Sequence, residues 1–338
     1  MNRAITDIIK FVCCIGIFIH HFYLHSPYVQ FLGPTACVIF FCLSAYGISV
    51  SLEKKPMALI SFIKKRLFKI YLPLLMVNIL FVLVTGWLCN GRFGIPVFNV
   101  FGDRIDYIQD GSSINAVLYT LGVHKIDSVT WFLDVLFVMY LFIWVIHKIA
   151  NKTYRVVLTL LAYCIHVLVC SNIAPPIMFG MIFDPIGIVV GVFLVERKEC
   201  LRYTQSKSNL PVIAISCFSF LSIGFMMGCM PPMEGRYTKF ILLVVAVISI
   251  ISIMAISADK YAPKANRLTI FLGGISYFIY LTHEKIANIV FYYNGSRSLI
   301  LTTMGVGCIS ALLYSVYLQV IKRIGKPDHW ALQDIRGQ

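Results

Sequence analysis

Charge is what this sequence has least of. Asp, Glu, Lys and Arg make up 13% of its 338 residues, against about 25% in an ordinary soluble domain, and that excludes a soluble globular protein. Acidic residues are the scarcer kind, 15 against 29 Lys and Arg, for a net charge of +14. Whole stretches carry no charge of either sign: none occurs between Lys10 and Glu53, and residues 156–183, 208–233, 240–258, 268–283 and 298–321 are equally free of it. The 11 cysteines include no CxxC pair and no Cys/His spacing suited to a metal, so neither a disulfide framework nor a zinc site is indicated. Most lie in apolar runs, where a thiol acts as a small buried hydrophobe.

Hydrophobic residues make up 59% of the chain, and the mean hydropathy is +0.83. A spanning helix needs about 20 apolar residues. The runs predict about ten transmembrane helices, over 7–25, 31–52, 68–89, 129–147, 154–171, 177–195, 210–229, 239–257, 268–291 and 298–321. The expected fold class is therefore an all-α, polytopic integral membrane protein, with one domain over 1–325 and a short tail over 326–338. With the N-terminus placed in the cytoplasm, 21 Lys and Arg fall in inside segments and 6 in outside loops, Lys10 and Lys285 being left within helices. Cytoplasmic loops collect Lys and Arg, so this asymmetry predicts that both termini are cytoplasmic. It also accounts for the net charge without a nucleic-acid partner. No cleavage site follows the first apolar run, which reads as a retained helix. The connection over 90–128, with Asp103, Asp106, Asp110, His124 and Asp127, is long for a hairpin and is expected to be a lid, an acceptor-binding element or a bystander.

Ionisable side chains inside apolar runs are costly in a membrane and mark functional candidates. On the first span Lys10 and His21 fall within about 20° of each other on a helical projection, with a rise of roughly 16 Å between them. Asp7 lies one turn before Lys10, and His25 one turn after His21. Such a stripe should face protein or a water-filled cavity; the plainer reading is an interfacial Asp7–Lys10 ion pair with interfacial histidines. His20 points about 100° away from His21 and is the weaker candidate. On the ninth span Tyr277, Tyr280 and His283 recur on one broad face, and His283 lies at a depth similar to that of His21, so the two could line one cavity. An interfacial Tyr/His belt is the alternative. Trp131 is read first as an interfacial anchor. Asp134, within an apolar run, needs a partner, and Asp184 before Pro185 reads as a helix-start residue.

The same residues resemble a known family. Asp7-x-x-Lys10 followed by His21 resembles the first-helix D-x-x-R-x10-H signature of the membrane acyltransferase 3 family. Phe40-Phe41-Cys42-Leu43-Ser44-Ala45-Tyr46 is similar to its FFxLSG[YF] segment, and Phe62-Ile63-Lys64-Lys65-Arg66-Leu67-Phe68-Lys69-Ile70-Tyr71-Leu72-Pro73 to its F-xx-(R/K)R-xx-R-xxx-P segment. Thr130-Trp131-Phe132-Leu133 resembles its TWFL, and Ser276-Tyr277-Phe278-Ile279-Tyr280-Leu281-Thr282-His283 its SYxxYLxH. The departures are Lys10 for the usual Arg, which keeps the charge but loses the bidentate fork; Ala45 for Gly, which asks whether a close helix approach is relaxed; and Lys69 for Arg.

The resemblance implies a stand-alone membrane O-acyltransferase that moves an acyl group, commonly acetyl, from acyl-CoA to a hydroxyl of a cell-surface glycan or lipid-linked sugar. It implies no tightly bound cofactor and no metal. Its partners would be acyl-CoA, the sugar acceptor and membrane lipids, with a homo-oligomer left open, in a bacterial inner or plasma membrane. The expected catalytic residues are His21, Lys10 and Asp7. Ser44, Tyr46, Trp131, Asp134, Ser276, Tyr277, Tyr280 and His283 are expected at the substrate, and Lys65, Arg66 and Lys69 at the donor phosphates, although a basic loop there is equally the positive-inside signal. A neutral imidazole suits His21 to general-base work near pH 7, and an acyl-histidine intermediate is the other route. The competing classes are a transporter or flippase, which also lines its path with intramembrane charge, and a purely structural membrane partner. No internal repeat favours the transporter.

Overall fold

The computed structural model describes residues 3–23, 29, 32–88, 113–123, 130–149, 151–173, 179–196, 265–294 and 298–324. The chain divides into two compact units. The first comprises Met1–Lys64 and Val129–Gly273, the second Lys65–Ser128 and Gly274–Gln338. Every regular element among the described residues is helical. Six helical stretches among them are long and apolar enough to cross a membrane: Arg3–Phe22, Leu32–Lys54, Leu59–Val84, Trp131–Ile149, Tyr154–Asn172 and Leu299–Arg323. Their outward faces carry Val12, Leu83, Ile165, Leu168, Met304 and Leu312, side chains suited to a solvent of lipid tails.

The first unit holds α1 (Arg3–Phe22), α2 (Leu32–Lys54), α3 (Leu59–Arg66, up to Lys64), α6 (Trp131–Ile149), α7 (Lys152–Ile173), α8 (Phe179–Phe183), α9 (Ile186–Glu196) and the first turns of α10 (Arg267–Asn294). At its centre α2 packs against α1, α6 and α9. Gly187 and Gly191, spaced as Gly-x-x-x-Gly on α9, permit the tightest of these contacts. A Cβ at Gly187 would collide with the Val38 carbonyl, and one at Gly191 with the Cys42 carbonyl and with Ala45 Cβ, 2.8 Å away. Without a hydrophobic force between helices in lipid, close backbone approach of this kind supplies the packing energy. Ala45 is fully buried there, so its methyl group does not relax the approach.

The expected helix over 177–195 is instead two short helices, α8 and α9, interrupted at Asp184-Pro185. Pro185 has no N–H to continue the ladder, and the chain re-enters a helix through Gly187 N–H to Asp184 O (3.1 Å) and Ile188 N–H to Pro185 O (2.9 Å). His166 and Tyr163 of α7 fix this break by donating to the Met181 and Phe183 carbonyls, at 2.8 and 3.2 Å. At one end of the unit Arg155, near the start of α7, approaches Glu196 at the end of α9 (3.2 Å) and Glu53 at the end of α2 (3.8 Å). Removing one member of such a cluster would strand a buried charge, at a cost of about 3–5 kcal/mol.

The second unit holds the end of α3, a π-helical turn over Leu67–Tyr71, α4 (Leu72–Leu88), α5 (Ser113–Thr120), most of α10 and α11 (Leu299–Ile324). Pro73 explains the π turn: it cannot donate to the preceding turn, and the Leu72 amide reaches back five residues to the Leu67 carbonyl. Two tyrosine hydroxyls donate to carbonyls in this widened turn, Tyr277 to Ile70 (2.9 Å) and Tyr317 to Phe68 (3.3 Å). Within the long connection, α5 ends in a Schellman turn, with Gly122 at φ 72° and Val123 N–H donating to Leu118 O. Its last carbonyls accept from Asn78 and, just beyond, from Tyr71, so this part of the connection is docked on α4. Residues 90–112 and 124–129, with Asp103, Asp106, Asp110, His124 and Asp127, lie outside the described residues, as do the expected helices 210–229 and 239–257, His25 and the tail 326–338. The expected span 268–291 is one 28-residue helix, α10, which is not among the six apolar spans because His283, Glu284 and Lys285 sit in its body.

Candidate active site

In α1 the helix runs unbroken from Arg3 to Phe22, so the expected alignment of Lys10 and His21 holds. Between them on the same face lie Cys14 and Ile17, exposed by only 1% and 2%, whereas Val12 on another face is 60% exposed. This face of α1 packs against protein, with Asp7 buried in it, while the Lys10 side chain keeps 36% of its surface exposed. Asp7 is 9% exposed and sits between two cations, Arg3 Nε and Lys10 Nζ, each 3.7 Å from one of its carboxylate oxygens. The second turn of α10 closes over this carboxylate: a Cβ at Gly273 would collide with it.

His21 is half-buried with its Nδ1 shielded from solvent. Its ring stands edge-on to that of His20, with centroids 5.1 Å apart. His20 has a packing role, lying so close to Gly33 of α2 that a Cβ there would meet its ring at 2.5 Å, with Nδ1 3.4 Å from the Val29 carbonyl. Ser44 and Tyr46 on α2 are half-buried. Trp131 packs on Phe41 and Phe132, and Phe41 and Phe132 lie 4.3 Å apart between centroids. Asp134 is exposed in the first turn of α6, where a helix N-terminus favours a carboxylate.

The other expected residues belong to the second unit. Lys65 and Arg66 are half-buried and Lys69 is exposed on the π turn. On α10 the rings of Tyr277 and Tyr280 stack at 6.4 Å, and Tyr280 lies 6.1 Å from His283. With its hydroxyl proton donated to Ile70 O, Tyr277 retains its ring and a lone pair for other contacts. Ser276, Tyr280 and His283 are all buried. His283 Nδ1 lies 2.7 Å from the Tyr280 carbonyl. A carbonyl only accepts, so the neutral ring carries its proton on Nδ1 and keeps its basic lone pair on Nε2.

Two residues beside His283 receive no role from the sequence, although Lys285 stands out there as a charge left within a helix. Glu284 and Lys285 are exposed by only 4% and 2%, and Lys285 Nζ donates to the Leu281 carbonyl at 3.2 Å. The available signal was three consecutive ionisable residues in an otherwise apolar helix. Among the described residues no group of His, Cys, Asp and Glu is arranged to hold a metal ion.

Comparison with known proteins returned one family, described as an acyltransferase domain and matching residues 4–320. No curated protein and no solved structure matched the chain. The family match reaches from the start of α1 into the last turns of α11 and agrees with apolar membrane-spanning helices; the chain belongs to the acyltransferase 3 family, whose members are membrane enzymes that transfer acyl groups.

Proposed function

We propose that the protein is an O-acyltransferase that moves an acyl group, commonly acetyl, from acyl-CoA to a hydroxyl of a cell-surface glycan or lipid-linked sugar, in a bacterial inner or plasma membrane with both of its termini cytoplasmic. The observation that carries this reading is the Asp7–Lys10–His21 stripe of α1, in which Asp7 is buried and Lys10 and His21 are partly exposed on the helix face that packs against protein, although such groups are costly in a membrane. His21 takes the proton of the acceptor hydroxyl as its oxygen attacks the thioester carbonyl carbon. The carbon–sulfur bond then breaks, and the proton passes to the departing CoA thiolate. Asp7 holds Lys10 by charge, and Lys10 places the donor. Lys65, Arg66 and Lys69 hold the donor phosphates as charge-assisted partners. Ser44, Tyr46, Trp131 and Asp134 in the first unit, and Ser276, Tyr277, Tyr280 and His283 in the second, are assigned to substrate recognition. The test is acyl transfer in membranes containing His21→Ala at the wild-type protein level. A loss of at least about 10²-fold is expected from removing a general base, and unaltered transfer refutes the assignment.

A further inference from the structure

Away from the α1 stripe, the first unit contains a cavity of about 420 Å³ where the C-terminal ends of α2 and α6 meet the N-terminal end of α7. That volume falls within the range of about 300–1,000 Å³ typical of small-ligand pockets. Its apolar lining is made by Leu52, Pro56 and the indole of Trp144. The indole is fixed in place because its Nε1–H donates to the Met57 carbonyl at 3.0 Å. Arg155 lines the cavity too, but its charge is taken up by Glu53 and Glu196.

The remaining cations are Lys148 and Lys152 at the rim, exposed and in no ion pair with another described residue. Lys148 Nζ lies 5.8 Å from the centroid of the Trp144 ring, so ammonium and indole are presented together. His147 adds a ring whose Nδ1–H donates to the Ile143 carbonyl at 2.9 Å, while its Nε2 is shielded from solvent and meets no hydrogen-bond partner among the described residues. That leaves an acceptor nitrogen when the ring is neutral and a further donor when it is charged.

Two ammonium groups on the rim of a pocket with an aromatic wall match a ligand that carries a doubly charged head on a compact organic body. A neutral sugar would leave both lysines idle, and a cation would be repelled by them. We propose that this cavity binds a phosphate monoester, with Lys148 and Lys152 on the phosphate and Trp144, Leu52 and Pro56 against the organic part. A soluble nucleotide and a phosphomonoester lipid headgroup share this chemistry. The inference stands apart from the acyl-transfer reading, because it concerns binding alone.

The test uses the purified full-length protein with two probes, adenosine 3′,5′-bisphosphate in detergent and phosphatidic acid in phosphatidylcholine nanodiscs. Adenosine and pure phosphatidylcholine are the controls. A ligand that binds only the folded state raises the melting temperature by mass action. A shift with the bisphosphate identifies a soluble source, a shift with phosphatidic acid a lipid source, and either supports the site provided that it weakens at high salt and depends on the lysines. For the probe that binds, the paired substitution Lys148→Ala and Lys152→Ala is expected to raise Kd about tenfold or more, while the paired Lys→Arg variant restores most of the affinity. Should the alanine pair fail to fold, Lys152→Gln alone carries the test, with a Kd about threefold weaker expected. Absence of a shift with both probes, or a shift that the lysine variants leave unchanged, overturns the proposal.

Discussion

Replacing Gly273 by alanine tests whether the Asp7 carboxylate must stand where it does. A Cβ at Gly273 would lie 2.5 Å from both Asp7 Cβ and Asp7 Oδ1, and ordinary contact begins near 3.4 Å. Because Asp7 Cβ cannot turn away, α1 must yield by about 0.9 Å and carry the carboxylate with it, and a misplacement of about 1 Å in catalytic machinery can cost 10²-fold in rate. The effect on folding is much smaller. Alanine is favoured over glycine in a helix interior by about 1 kcal/mol, while overpacking costs about 1–3 kcal/mol, which leaves a net loss of about 0–2 kcal/mol. The assay compares release of the CoA thiol from acetyl-CoA by membranes holding equal amounts of each variant with native acceptor, alongside melting in detergent. Gly47→Ala and Gly307→Ala serve as controls, because nothing lies within 4 Å of a Cβ at either position. A fall of about 10- to 100-fold in rate with most of the protein folded is the expected result. Wild-type activity in Gly273→Ala, or a loss of activity matched by an equal loss of folded protein, refutes the positioning role of Asp7.

At the contact of α2 with α9, Gly187→Ala drives a methyl group into the backbone carbonyl of Val38, which no rotamer change relieves; it should cost about 1–3 kcal/mol, read as a lower melting temperature in detergent. Tyr277→Phe removes the hydrogen bond to Ile70 O and should cost about 0.5–1.5 kcal/mol, with a larger loss if the hydroxyl also contacts substrate, as KM would show. Acetyl-CoA should raise the melting temperature more than free CoA or ATP at equal concentration, and Lys10→Ala should reduce that shift. Equal shifts with all three nucleotides would argue against a thioester-specific site.

Hydropathy made the membrane-spanning character legible because burying about 20 apolar residues is the same constraint for every span. It reported less well where a single residue overrides the average. The run over 177–195 reads as one helix by hydropathy, yet Pro185 divides it, and the polar contacts that stabilise the break come from Tyr163 and His166 on α7. The π turn was likewise hidden: Pro73 stood in the motif, but the hydroxyls of Tyr277 and Tyr317 that occupy the widened turn are 207 and 249 residues away from their acceptors. Counting Lys and Arg by segment treats each charge alone. The pairing of Arg155 with Glu53 and Glu196 joins the ends of three helices and is invisible to any such tally.

Two of the three departures from the family motif, Ala45 and Lys10, show why a residue change has no fixed meaning until its neighbour is known. Ala45 stands where a glycine permits close approach, but the approach is made by glycines on the opposite helix. Gly187 and Gly191 bring the α9 backbone against α2, and Ala45 supplies the small surface that Gly191 meets. The tolerance for one methyl group on α2 therefore depends on having none on α9. Lys10 differs in kind, since its partner Asp7 lies on its own helix and already faces a second cation, Arg3. An ammonium needs no fork to satisfy one carboxylate oxygen at that distance, so the substitution leaves the Asp7 contact intact. Any geometric loss falls on what Lys10 presents away from Asp7, which is the side on which an anionic donor would be held.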